Sequence, residues 1–221
     1  MEDKINILIV DDHKIFRDGL KILLSHFSFI GDMYEASNGR EFLNMLESVK
    51  PDIVLMDINM PVMGGIEATR KALSEYNELR IIVLTTFHDE DYVDQMLMAG
   101  VEGYMLKRST PEEFESAILK VHSGGNFFSD EILATMSRKL NTYRENAPKS
   151  SMPIFTEREL SILEFLCQGF NNDKISSVLH ISPKTIEKHK SNLFQKTNTN
   201  NTVNLVIWAF KNGVVDIRNG I

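Results

Sequence analysis

Three aspartates, a lysine and a threonine are the residues in this sequence best placed to do chemistry together. Asp11 and Asp12 follow the apolar run Ile5-Asn6-Ile7-Leu8-Ile9-Val10, and Asp57 ends a second run, Ile53-Val54-Leu55-Met56. Thr85 closes a third, RIIVLT, and Lys107 follows a fourth, GYML. One aspartate at a strand end is most often a solvated cap. Five polar residues at the ends of four strand-like runs can be gathered by a single sheet. Clustered carboxylates repel and need something positive to offset them. A hard divalent cation with oxygen ligands, Mg2+, suits Asp11, Asp12 and Asp57. Lys107 adds a fixed positive charge and Thr85 a hydroxyl. Such a set can grip a phosphoryl group, with Asp57 attacking phosphorus to form an acyl phosphate. His13 and His88 lie in neighbouring loops without a matched partner and read as surface residues.

The elements that must position these groups are legible from periodicity. Short β-branched apolar runs alternate with helical patterns: strands near Ile5–Val10, Met33–Ala36, Ile53–Met56, Arg80–Thr85 and Gly103–Leu106, with helices between. Asp89 reads as an N-cap, and Thr110-Pro111 as an N-cap with proline at the first helical position. Five strands alternating with five helices predict a doubly wound parallel sheet, whose sites lie at the carboxyl ends of the strands. Gly124-Gly125 closes that unit. A short helix is predicted over 129–140, and the polar, proline-bearing stretch Asn141–Pro153 reads as linker.

The motifs "ILIVDDH", "VLMDINMPVMGG", "VLTTF" and "GYMLK" resemble, in order and spacing, the receiver domain of bacterial two-component response regulators, over roughly residues 4–123. The resemblance implies a flavodoxin-like five-stranded sheet and an Asp57 phosphorylated by a sensor histidine kinase. It implies Mg2+ held by Asp11, Asp12, Asp57 and the backbone carbonyl of Asn59. Lys107 and Thr85 would contact the phosphoryl group, and Tyr104 would swing inward as the partner aromatic of the switch. Two departures stand out. Gly64 sits where many receivers carry a polar residue, with flexibility its only evident justification. Arg108 follows Lys107 where proline is common, so that bond is expected to be trans.

From about Phe155 the pattern is helical throughout. Thr156-Glu157-Arg158-Glu159 fits a capping box, and Ile181-Ser182-Pro183 reads as a turn opening a new helix. Residues 171–196 propose a helix-turn-helix: Asp173–Leu179 across the DNA backbone, Pro183–Lys196 in the major groove. Ile186, Leu193 and Phe194 face inward. Lys184, Thr185, Lys188, His189, Asn192 and Lys196 fall largely on the other side, with donors for phosphates and base edges. A solvated amphipathic helix would look the same by pattern alone. The run "FTERELSILEFLCQGFNNDKISSVLHISPKTIEKHKSNLFQKTN" resembles the LuxR-type domain of NarL/FixJ response regulators. That implies binding to double-stranded promoter DNA and dimer contacts by the last helix. Glu187 and Lys190 depart from the common pattern, as do Asn171-Asn172 and Ser176-Ser177. Glu187 would either accept from cytosine N4 or repel phosphate.

Bulk properties fit this division. Residues 1–123 hold 12 Lys+Arg against 22 Asp+Glu, a net −10; residues 124–221 hold 12 against 9, a net +3. An acidic front and a mildly basic back suggest different partners. One cysteine, Cys167, excludes an internal disulfide, and no Cys/His cluster suggests zinc. The apolar runs are far too short for a membrane span, and the first residues are acidic where a secretory signal is basic, so a cytoplasmic location is expected. The domains expected are a receiver over 1–123, a linker over 124–153 and an all-α DNA-binding domain over 154–221. The protein reads as a regulator rather than an enzyme, active as a homodimer. An Asp-nucleophile phosphatase is the alternative, but it usually carries its two aspartates two residues apart after the first strand, beneath a cap that is missing here. A phosphorylation-independent binding module is the other, and the intact acid pair with Thr85 and Lys107 argues against it.

Overall fold

The computed structural model describes residues 4–76, 78–86, 90–129, 131–132, 153–199 and 201–215. The chain divides into two compact units, one carrying the sheet and the other the C-terminal helices. The first unit runs β1 (Ile5–Val10), α1 (Lys14–Ser25), β2 (Ile30–Ala36), α2 (Gly39–Met45), β3 (Ile53–Asp57), α3 (Gly65–Glu75), β4 (Arg80–Thr85), α4 (Glu90–Ala99), β5 (Gly103–Leu106), α5 (Pro111–His122) and β6 (Phe127–Phe128). All pairings are parallel, in the order β2-β1-β3-β4-β5-β6.

The sheet therefore has six strands, not the five expected. β6 lies in the stretch read from sequence as linker, so the sheet extends past residue 123. A two-residue strand is too short to show any alternation. It forms because Phe127 donates to Glu102 O at 3.0 Å and packs its ring on the core, beneath the Lys120 ammonium 5.3 Å from the ring centroid. The short helix expected over 129–140 and the linker 141–153 fall almost wholly outside the described residues, as do His88 and Asp89.

The strands are apolar because both faces of the sheet are covered. Ile7, Ile9, Leu55, Ile82, Leu84 and Met105 form one continuous core with Leu20 and Leu24 of α1 and Phe114, Ile118 and Val121 of α5. Burying six such side chains of β1 and β3 to β5 contributes on the order of 10 kcal/mol before chain entropy is set against it. Local chemistry marks the helix starts. Asn38 caps α2 by accepting from the amides of Arg40 and Glu41. Thr110 and Glu113 exchange hydrogen bonds ahead of α5, with Pro111 at its first position.

The second unit holds α6 (Glu157–Cys167), α7 (Asn172–Leu179), α8 (Pro183–Thr197) and α9 (Thr202–Lys211). Thr156 and Glu159 form the capping box expected, and Ser182 caps α8 with Pro183 at its first turn. Asn171 caps α7, which explains one of the unusual asparagines. His180 takes the left-handed conformation (φ 53°) that ends α7 and turns the chain into α8, and Arg158 of α6 donates to Leu179 O at 2.8 Å to close the end of α7. Ile162, Leu163, Leu166, Ile175, Ile186, Leu193, Leu205 and Ala209 make the core. Among the described residues no helix is long and apolar enough to cross a membrane.

Candidate functional site

β1 and β3 are neighbours with Val10 opposite Met56, so the residues that end them arrive side by side. Asp11 is 1% exposed and Asp57 4%. Ligand atoms of Asp11, Asp12, His13 and Asp57 all lie within 4.8 Å of one another. Lys107 reaches in from the turn after β5, its own N–H held by Thr85 O at 2.7 Å. Its ammonium sits 2.6 Å from Asp11 Oδ2 and 2.9 Å from Asp57 Oδ2, and 5.0 Å above the Phe16 ring. Thr85 is buried at the end of β4, and Asn59 is exposed just beyond Asp57. Tyr104 is fully buried, its side chain already inside the unit. The Lys107–Arg108 bond is trans, as expected.

Burial pushes the Asp57 carboxyl above its ordinary range, with the Asp11 charge adding to it, and the bond from Lys107 only partly offsets this. Burial works against the Lys107 charge too, but its bonds to Asp11 and Asp57 win and hold it firmly protonated. Two carboxylates, Asp11 and Asp57, thus share one buried ammonium, with Asp12 close beside them. His13, which pattern alone treated as a surface residue, joins them with Nδ1 3.2 Å from Asp11 and 2.9 Å from Asp12, though it is 68% exposed. Asp11 Oδ2 and Asp12 Oδ1 are out of solvent, and beyond the Lys107 ammonium at 2.6 Å and His13 Nδ1 at 2.9 Å they have no hydrogen-bond donor among the described residues. Hard oxygen donors, an excess of negative charge and carboxylate oxygens short of donors together fit a small divalent cation.

The loop after β3 explains the glycines. A Cβ on Gly65 would stand 1.9 Å from Asp57 O, so only glycine lets α3 start against the strand end. A Cβ on Gly64 would meet Ile58 O at 3.3 Å, tighter than most Cβ contacts but within a few tenths of an ångström of relief, and Gly64 is extended. The strict requirement is at 65. Just ahead of them Met63 donates to Pro61 O at 2.7 Å, closing a three-residue turn around Val62, whose φ is 69°.

In the second unit, α8 exposes Lys184, Glu187, Lys188, Ser191, Gln195 and Lys196. Thr185, His189 and Asn192 are half-buried beside them, with Thr185 Oγ1 2.9 Å from Ser182 Oγ. Ser191 and Gln195 were not named from the sequence, though they fall at helical spacing from Lys184 and Lys188. Two expectations change. Lys196 is bonded to the buried Glu159 at 2.6 Å, so its ammonium is paired within the unit although the side chain stays partly exposed. Glu187 accepts from Asn172 of α7 and lies 3.5 Å from Lys190, which is itself buried and bonded to Asn172 Oδ1 at 3.3 Å. The three departures at 172, 187 and 190 are thus one polar contact between α7 and α8. Glu187 is engaged there rather than aimed outward alone.

Comparison with known proteins bears on both units. Residues 7–119 match the response regulator receiver domain, and residues 153–209 match the luxR family of bacterial regulatory proteins. The chain is 32% identical over 98% of its length to the transcriptional regulatory protein DegU of Brevibacillus brevis, covering 98% of that protein. The chain belongs to the two-component response regulators with a LuxR-type DNA-binding domain. A second relative of this response regulator, VraR of Staphylococcus aureus, is 32% identical over 96% of the chain and 99% of VraR. Among solved structures it resembles the response regulator ChrA of a heme-sensing two-component system, at 26% identity and a TM-score of 0.51, over 96% of this chain and 99% of that one. A regulator with these two domains has a kinase and DNA as its classes of partner, and its output is transcriptional control.

Proposed function

We propose that Asp57 is the phosphoacceptor and that its phosphorylation by a sensor histidine kinase, in the cytoplasm, switches DNA binding by α8. The observation that carries this reading is Lys107 held between Asp11 and Asp57 at the ends of adjacent parallel strands. Asp11, Asp12, Asp57 and the backbone carbonyl of Asn59 would hold Mg2+. Bound there, the ion would supply positive charge against these carboxylates and the incoming phosphoryl group. A carboxylate oxygen of Asp57 forms the new O–P bond as the P–N bond to the kinase histidine breaks, and the electron pair leaves with the imidazole. Lys107 gives up Asp57 and follows the added negative charge, and the Thr85 hydroxyl donates to the phosphoryl group above the buried Tyr104. Water later attacks the same phosphorus and restores the carboxylate, the only turnover the protein catalyses. The receiver is taken as 1–123 with β6 appended, and the DNA-binding domain as 154–221. Lys184, Thr185, Lys188, His189 and Asn192 contact DNA, and the active form is a homodimer spanning two half-sites. Lys196 acts through Glu159 in holding α8 rather than through DNA.

The test is incubation with acetyl phosphate and Mg2+ followed by phosphate-affinity electrophoresis. A retarded band is expected for the wild type and none for Asp57→Asn. Absence of the band in the wild type, or its persistence in the variant, would sink the assignment.

A further inference from the structure

Six residues beyond Asp11, on the second turn of α1, lies a side chain that the reading above does not use. Arg17 is nearly buried, and its guanidinium makes two contacts at once. Nη1 donates to the backbone carbonyl of Asp11 at 2.6 Å, and Nε donates to Glu35 Oε2 of β2 at 3.1 Å. Glu35 is gripped from its other side by Lys21 at 2.5 Å, and these two cations hold its carboxyl below the usual range against burial. The N–H of Asp11 is fixed as well, to Ala36 O at 3.1 Å, the residue next to Glu35. The end of β2 therefore holds Asp11 through both of its main-chain groups, directly on the amide and through Arg17 on the carbonyl.

The carbonyl matters because of what it is joined to. The six atoms from Asp11 Cα to Asp12 Cα form one rigid plane. Clamping the Asp11 oxygen sets the tilt of that plane, and with it the direction in which the Asp11 and Asp12 side chains leave the chain. We infer that Arg17 is a positioning residue for the metal site: through the Asp11 carbonyl it fixes the relative orientation of the Asp11 and Asp12 carboxylates. The inference rests on the reading of Asp11 and Asp12 as metal ligands. Only arginine suits the task, because its planar fork serves two acceptors in fixed geometry, which a single ammonium cannot do.

Charge and geometry make opposite predictions here. Arg17 is a cation close to a cation site, so removing it should tighten Mg2+ binding if charge alone mattered. If it orients the ligands, removing it should weaken binding, by about 10- to 100-fold as for other residues that support metal ligands. The test is calorimetric titration of the full-length protein with MgCl2, together with its melting temperature in EDTA and in saturating Mg2+. Arg17→Ala is expected to raise the Mg2+ Kd by at least about tenfold and to shrink the Mg2+-induced rise in melting temperature. Arg17→Lys keeps the charge and loses the fork, so it is expected to weaken Mg2+ binding as well, by less; it also serves if the alanine variant does not fold. Unchanged or tighter binding in Arg17→Ala, with only the EDTA melting temperature lowered, would reduce Arg17 to a structural bridge. So would a lysine variant that binds like the wild type. Failure of the wild type and of Asp57→Asn alike to respond to Mg2+ would instead remove the metal reading, and this inference with it.

Discussion

Asp57 and Glu159 are both almost fully buried carboxylates, 4% and 3% exposed, and each faces a lysine, at 2.9 and 2.6 Å. Their protonation nevertheless shifts in opposite directions. Burial raises Asp57 and Lys107 only partly counters it. Burial also acts to raise Glu159, but Lys196 and the N–H and hydroxyl of Thr156, at 2.8 and 3.0 Å, outweigh it and leave it lowered. Glu159 has a lysine to itself and two further donors. Asp57 has one backbone donor, Ile58 N–H at 2.8 Å, and shares its lysine with Asp11. A carboxylate that only holds a helix start is supplied with donors in full. One that must accept a cation and a phosphoryl group is left short of them, and the shortage keeps its oxygens available.

The comparison can be broken most sharply by exchanging charge for amide at each site. Asp57→Asn is expected to lose phosphorylation by acetyl phosphate entirely, while Glu159→Gln keeps the wild-type level on the same gel. Next in size, Glu159→Ala removes a cap and an ion pair together. It should lower the stability of the helical unit by about 2–3 kcal/mol. Urea melts followed by fluorescence report this unit alone, because the single tryptophan, Trp208, lies in α9.

The pH dependence should differ in sign between the two. Glu159 is lowered in the folded state, so its contribution is complete above the unfolded value of about 4.3 and is lost as pH falls through the folded value. The Trp208 midpoint should therefore drop in acid, and less so in Glu159→Gln. Asp57 is raised, so its charge costs stability above its folded value, and acidification through that value relieves the cost. In Mg2+-free buffer, the stability gained by Asp57→Asn, measured by amide hydrogen exchange along β3, should be larger at neutral pH than in mild acid. The smallest effect separates two lysines of α8. Lys188→Ala should weaken DNA binding at all sequences and reduce the salt slope by about 1, whereas Lys196→Ala should leave the slope unchanged and lower the Trp208 midpoint.

The acidic site was legible because it depends on residue type at the ends of strong apolar runs, and a parallel sheet leaves few places for those ends to go. The contacts across α7 and α8 were not. A helical wheel places Glu187 and Lys196 outward, and only the packing of a second helix shows that Asn172 and Glu159 meet them there. The same holds for the glycines after Asp57. Gly64 read as loop flexibility, and only the approach of the Asp57 carbonyl singles out Gly65 as the strict requirement. β6 left no trace because two phenylalanines carry no period, and Arg17 left none because its partner Glu35 belongs to a strand 18 residues further on.

β6 has a mechanical side. It makes β5 an interior strand, bonded to β4 on one edge and to the outgoing chain on the other. Ser129 N–H is held by the carbonyl of Tyr104 itself, at 3.1 Å. Any displacement of the Tyr104 main chain must either break that bond or drag residue 129 along. The strand that leads to Lys107 is thus moored along its outer edge, by Phe127 N–H on the carbonyl of Glu102 and by Ser129 N–H on that of Tyr104, like a boat tied at bow and stern.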